Sequence, residues 1–246
     1  FVQSLRSSED YIYKHVLNVA ILSAIIAGQM GFPVGRINLL VKSAILHDIG
    51  ALKLQQLPDA EDLDDGTKEV VKKNTQETLD RYGDLDEEVL RLITQMQELY
   101  TRESDAEIPA GLKESVNANI LYVADAYDRM TAMKSFEEPT SEVKAVRELL
   151  ADEERYNKKI VNALIHGISI LYPGVCVELS NGEKGLVITE NEDNIFEPTV
   201  LDFRNNNLYD LSDPSVKQTI EIADVMKTMD NRIKLDKSLL EEYQAN

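Results

Sequence analysis

Ala44-Ile45-Leu46-His47-Asp48-Ile49-Gly50 closes an apolar stretch that begins at Leu39. The spacing predicts a helix over 35–48, stopped at the glycine. Successive helix residues point about 100° apart, so the His47 imidazole and the Asp48 carboxylate reach one point only from the helix end. An imidazole beside a carboxylate there offers two unlike ligands to one metal ion. The remaining ligands must come from other helices. The chain supplies His15 upstream and Asp125 downstream. A His-Asp pair alone carries little, because any helix can end that way. Four such residues in this order and local context carry much more.

Working outward, nearly every segment from 8 to about 170 reads as helix. Tyr11, Val16, Val19, Leu22, Ile26 and Met30 recur at helical spacing, and Gly31-Phe32-Pro33 ends that element near residue 31. An acidic, turn-rich stretch at 57–66 is expected to be a loop. Two amphipathic helices follow at 67–82 and 85–99, the first stopped by Gly83. Residues 100–112 are polar and irregular, and 115–133 form a long apolar helix that holds Asp125 and Asp128. Further helices are expected from Pro139 onward and over 157–171, giving seven or so in a domain of 1–171. At Tyr172-Pro173-Gly174 the period changes to two. Val175, Val177 and Leu179 alternate with Cys176 and Glu178, and Ser180-Asn181-Gly182-Glu183 makes a turn. Residues 185–188, 199–203 and 208–211 extend a small antiparallel β subdomain of three or four strands over 172–212. A helical tail over 213–246 should present Ile222, Val225, Met229 and Ile233 as its apolar face. The fold class is thus mainly α, a helical bundle with a small C-terminal antiparallel β subdomain and a terminal helix.

The chain has 246 residues, 43% of them apolar, within the range of an ordinary globular protein. The longest apolar stretch, 16–28, carries Asn18 and Ser23, and no run of membrane-spanning length is read from it. No secretory signal pattern is recognisable, and a chain opening on Phe1 is expected to have a further N-terminal domain. One cysteine, Cys176, permits no internal disulfide and suits a reducing cytoplasm. A net charge of −18 repels nucleic acid and anionic lipid, and the only adjacent basic pairs are Lys72-Lys73 and Lys158-Lys159. Neither nucleic acid nor a membrane is therefore expected as a partner. The acidic run at 59–65 reads as a solvated surface.

The four positions follow the ligand order of the HD superfamily of metal-dependent phosphohydrolases, which this chain resembles. Within it the chain is most similar to the HD-GYP domains, bacterial phosphodiesterases of cyclic di-GMP signalling. Tyr13-Lys14-His15-Val16-Leu17-Asn18-Val19-Ala20 resembles their opening helix, and Ala44 to Gly50 their central motif. Ile120 to Thr131, with Ala124-Asp125-Ala126-Tyr127-Asp128, resembles their late helix, and 172–203 their short β appendix. The resemblance implies a metal site made of His15, His47, Asp48 and Asp125, with His47 and Asp48 at the catalytic positions.

Departures fall on the chemistry. The lysine that follows the family's HDIG is Ala51 here, and Lys53, two positions on, is expected to point to another face. The family's His-Pro pair falls at Asn74-Thr75, and its His-His-Glu triplet at Met96-Gln97-Glu98. No Gly-Tyr-Pro occurs in the chain, and an accessory glutamate position is Tyr11. Asn, Met and Gln are poor ligands for a hard divalent ion, so one ion is expected rather than two. Two His and two Asp suit Mn, Fe, Ni, Co, Zn or Mg. Asn18 is read as a support for its neighbouring helix and Asp128 as a structural ion-pair partner. Met96 and Met130 are read as packing, and His166 as a hydrogen-bonded core histidine. Three functions follow: a degenerate signalling domain that no longer hydrolyses cyclic di-GMP, a one-metal phosphohydrolase of a nucleotide or other phosphate ester, or a structural module with a relic site. The first is favoured, with the second as its alternative.

Overall fold

The structure, a computed structural model, describes residues 8–54, 65–82, 85–101, 108–132 and 139–226. The chain divides into two units, one comprising Phe1–Thr140 and Ala145–Ile168, the other Ser141–Lys144 and Ser169–Asn246.

The first unit is helical. Its elements are α1 (Ser8–Gln29), α2 (Val34–Leu46), a 3-10 turn (Ile49–Lys53), α3 (Asp65–Leu79), α4 (Glu87–Tyr100), α5 (Ala110–Glu114), α6 (Val116–Thr131), most of α7 (Glu142–Ala151) and α8 (Lys158–Ile168). Every residue of α6 from Ala118 to Asp128 is buried, which makes it the central helix of the bundle. α1 packs on α2, α6 and α8, α4 packs on α2 and α6, and the 3-10 turn packs on α3. Leu79, Val89 and Ile93 form a buried cluster that Leu39, Leu46 and Ile49 flank, so the end of α2 is anchored in apolar core. Asp86 caps α4 by accepting from the Glu88 amide, with Glu87 and Glu88 in the first turn.

Two helical expectations need correction. Tyr11–Gln29 is, by length and composition, long and apolar enough to cross a membrane, whereas no such run was read from the sequence. Its Val19, Leu22, Ile26 and Ala27 are fully buried against the other helices, as befits a core helix. His166 is exposed, because Ile160, Val161, Leu164 and Ile165 take the buried face of α8 and leave it on the other. The short helix α5 also begins within the stretch 100–112.

The second unit is built on a five-stranded antiparallel sheet in the order β4-β3-β2-β1-β5, from β1 (Cys176–Leu179), β2 (Lys184–Thr189), β3 (Thr199–Asp202), β4 (Leu208–Asp210) and β5 (Ile222–Val225). Val177 and Leu179 point inward while Glu178 is exposed, the alternation of a half-buried strand. Gly182, at φ 81°, closes the β1–β2 turn. Between β4 and β5 lies α9 (Pro214–Lys217), capped by Asp213. Ile222 and Val225, expected on a helix face, instead sit in β5, which pairs with β1 through Val177 and Val225. A spacing of three fits either element, and pairing to an open sheet edge decided it. Met229 and Ile233 lie outside the described residues, as do Gly83 and most of the acidic run at 59–65.

Candidate metal centre

His15, His47, Asp48 and Asp125 converge, with one ligand atom of each lying within 4.8 Å of the others. α1 supplies His15, the end of α2 supplies His47 and Asp48, and α6 supplies Asp125. All four are buried. Asp125 Oδ1 lies 2.9 Å from His15 Nε2 and 3.2 Å from His47 Nε2. Asp48 Oδ2 lies 3.7 Å and 3.8 Å from the same two nitrogens.

His15, His47 and Asp125 each have a partner on the far side, and Asp48 is bonded on the oxygen that faces the cluster. His47 Nδ1 donates to the Ala44 carbonyl at 2.6 Å, which leaves its Nε2 as the lone-pair nitrogen. His15 Nδ1 donates to Asp128 Oδ2 at 2.8 Å, and Asn18 Nδ2 holds Asp128 Oδ1 at 2.9 Å. Arg129 Nε donates to Asp125 Oδ2 at 2.9 Å, and its Nη2 to Asp48 Oδ2 at 2.7 Å. The His47 lone pair and two carboxylate oxygens thus face a shared point, an arrangement that requires a cation or a proton between them. The donor set therefore fits a divalent ion, which two imidazoles and two carboxylates can hold.

The electrostatics agree. Burial and the Arg129 guanidinium push the His15 imidazole down, yet its hydrogen bonds to Asp125 and Asp128 more than offset them and raise it to about 9. Burial pushes Asp48 up, and His47, Arg129 and His15 outweigh it, so the carboxyl ends below its ordinary range. Asp125 is driven well below that range, against its burial, by Arg129 and by its contacts with His15 and His47. Both carboxylates are ionised near neutral pH.

The positions of the family's other ligands carry different work. Gln97 Nε2 donates to the His47 carbonyl at 2.9 Å, and Asn74 Nδ2 approaches the Gly50 carbonyl at 3.4 Å. Thr75 Oγ1 accepts from the Gly50 amide at 3.0 Å. Met96 is buried core, and Met130 is half-buried. Gly50 is forced by this packing, since a Cβ there would lie 2.3 Å from both the Thr75 nitrogen and the Val71 oxygen. Ala51 is buried with Tyr11, Ile12 and Val71, while Lys53 is exposed and reaches the Asn74 carbonyl at 3.4 Å. Tyr11 stacks on the His15 ring, centroids 5.7 Å apart and planes 11° off parallel.

Arg129 is the residue that reading the sequence missed. The one available signal was its place four residues after Asp125, a spacing at which helix side chains meet. Asp128 and Asn18 were read as structural, and here Asp128 holds the far side of His15 while Asn18 holds Asp128.

Residues 12–130 match a family model described as HD domain. A cyclic di-GMP phosphodiesterase of Pseudomonas aeruginosa is 22% identical over 201 residues, covering 80% of this chain and 49% of that protein. The cyclic di-GMP phosphodiesterase PdeB of Borreliella burgdorferi is 24% identical over 225 residues, 87% of this chain and 58% of that protein. The chain thus spans about half the length of the curated relatives it matches.

Proposed function

Because residues 12–130 form an HD domain, we propose that its four-residue cluster is a one-ion centre that binds a phosphate-bearing ligand without turning over cyclic di-GMP. What supports this reading is that Asn74 and Gln97 turn their NH2 groups to the backbone of Gly50 and His47 and offer no carboxylate or imidazole to a second ion. Among the described residues the four-residue cluster is the one metal-capable group, so a second adjacent ion has no ligands of its own there. A bound divalent ion would supply Lewis acidity, relieving charge on a phosphoryl oxygen and making a nearby water more acidic.

The chain's own residues do the rest. His47 and His15 present Nε2 inward because Ala44 and Asp128 take the opposite nitrogens. Asp48 and Asp125 bring fixed negative charge, and Arg129 holds Asp125 by the oxygen turned away from the two imidazoles. A phosphodiester reaction that needs two adjacent cations loses about 10²–10³ in rate for each such electrostatic contact removed. Turnover of cyclic di-GMP then falls to background, and the domain serves as a signalling module. A bacterial, cytoplasmic setting belongs to the same reading, supported by the bacterial relatives and the single cysteine Cys176. So does a partnership with small phosphate-bearing molecules rather than nucleic acid or membrane, supported by the net charge of −18.

A second reading is favoured by the far-side partners that fix His15, His47 and Asp125. In it the centre is an active one-metal phosphohydrolase of a nucleotide or other phosphate ester. Incubation with cyclic di-GMP and excess Mn²⁺ or Fe²⁺, following the linear dinucleotide and GMP, tests the first reading. No product above that of Asp48→Ala is expected. Turnover matching a complete two-metal enzyme, abolished in Asp48→Ala, overturns it. Phosphate release from a nucleotide panel, lost in Asp48→Ala, establishes the second.

A further inference from the structure

Arg129 lies one helical turn past Asp125 on α6, and its guanidinium spans the two clustered carboxylates. Nε donates to Asp125 Oδ2 at 2.9 Å and Nη2 to Asp48 Oδ2 at 2.7 Å. The Tyr100 ring covers the guanidinium, whose carbon lies 4.7 Å from the ring centroid, and 15% of the side chain is exposed. Burial disfavours its charge, but Asp125, Tyr100 and Asp48 outweigh burial and hold it firmly protonated. The oxygen that takes Nη2, Asp48 Oδ2, is also the one that faces the Nε2 atoms of His15 and His47. The guanidinium therefore sits on an atom that a metal ion in the cluster requires.

Charge counting sharpens the point. In a metal-loaded site, where His15 must give up its proton to act as a ligand, Asp48, Asp125 and Asp128 bring three negative charges and Arg129 returns one. The remainder equals the charge of one divalent ion. A second divalent ion would leave an unbalanced positive excess in a buried place, which is costly.

We infer that Arg129 is a resident counter-cation, which an incoming divalent ion must outcompete for Asp48 Oδ2 and which fixes the capacity of the site at one ion. This rests on the metal-centre reading above. Its consequence is a centre that loads only above a threshold of free metal, because the ion replaces an existing charge pair instead of filling a bare anionic cage.

The test titrates chelator-stripped full chain with Mn²⁺, followed by calorimetry and by the electron paramagnetic resonance of free Mn²⁺. Wild type, Arg129→Met, Arg129→Lys and Arg129→Ala are compared. Arg129→Met is expected to bind Mn²⁺ tighter by on the order of 10-fold or more, since a neighbouring positive charge is gone. Arg129→Lys, which keeps the charge but cannot bridge two carboxylates, should gain less; it also serves should the Met variant fail to fold. In Arg129→Ala, tens of millimolar guanidinium should weaken Mn²⁺ binding again while equal sodium does not, a competition that a purely structural arginine would not produce.

One ion in wild type with equal or weaker binding in Arg129→Met overturns the inference and leaves the one-ion reading standing. No ion in wild type but one in Arg129→Met supports the inference and overturns the loaded-centre reading. Two ions in wild type, or none in any variant, overturns both.

Discussion

Gln97 Nε2 donates to the carbonyl oxygen of His47 across 2.9 Å, so α4 holds the backbone from which two of the four clustered side chains project. Both residues are buried, and the carbonyl has one other approach, Thr75 Oγ1 at 3.5 Å. Gln97→Ala leaves that carbonyl poorly satisfied and opens a void. A loss of about 1–3 kcal/mol is expected by urea unfolding, with weaker metal binding because His47 and Asp48 are freed to move. Unchanged stability would mean that the hydrogen bond carries no weight.

Asp128 fixes His15 through Nδ1. Asp128→Asn keeps an acceptor of similar shape and removes the charge. Metal affinity should fall by roughly 10–100-fold, while the helix content by circular dichroism stays the same. An affinity equal to wild type would show that His15 needs no carboxylate behind it.

The raised His15 imidazole gives the metal-free protein a pH signature. Folding holds its proton more tightly than the unfolded chain does, with a shift from 6.5 to about 9, worth about 3 kcal/mol. That stabilisation is complete below pH 6.5 and lost as the pH rises through about 9. At the acid end, Asp48 and Asp125 are held below their ordinary range, so their contribution is present above about pH 4 and lost as the pH falls. Urea midpoints of chelator-treated protein between pH 6 and 10 check the alkaline limb, and a flat profile there contradicts it.

Much of this was legible in the sequence, for identifiable reasons. His15, His47, Asp48 and Asp125 stood in helical segments whose apolar periodicity placed each one, and the glycine marked where α2 stops. The roles of Asn74 and Gln97 were hidden, because they depend on how closely α3 and α4 approach the backbone of 47–50, a distance that no local pattern encodes. Gly50 illustrates the same limit: its place at a helix end was readable, its contact with Val71 and Thr75 was not. Arg129 was half-visible through its spacing from Asp125, but its second bond reaches Asp48, 81 residues away. β5 escaped because four residues with apolar ends suit a helix as well as a strand until a sheet edge is available.

Gly50→Ala tests that contact. The added Cβ meets two backbone atoms of α3 at 2.3 Å, and backbone gives way less readily than a flexible side chain. A destabilisation of about 1–3 kcal/mol or more is expected, together with lost metal binding as the 3-10 turn moves off α3. A variant as stable as wild type would mean that the turn has room the structure does not show.

The metal content of the full chain, purified without a chelating tag and measured by elemental analysis against protein concentration, tests the central claim most directly. One divalent ion per chain, lost in Asp48→Ala and in Asp125→Ala, is the predicted result. Two ions per chain would show that Asn74, Met96 and Gln97 do not cost the site its second metal, and none would contradict the loaded one-ion centre.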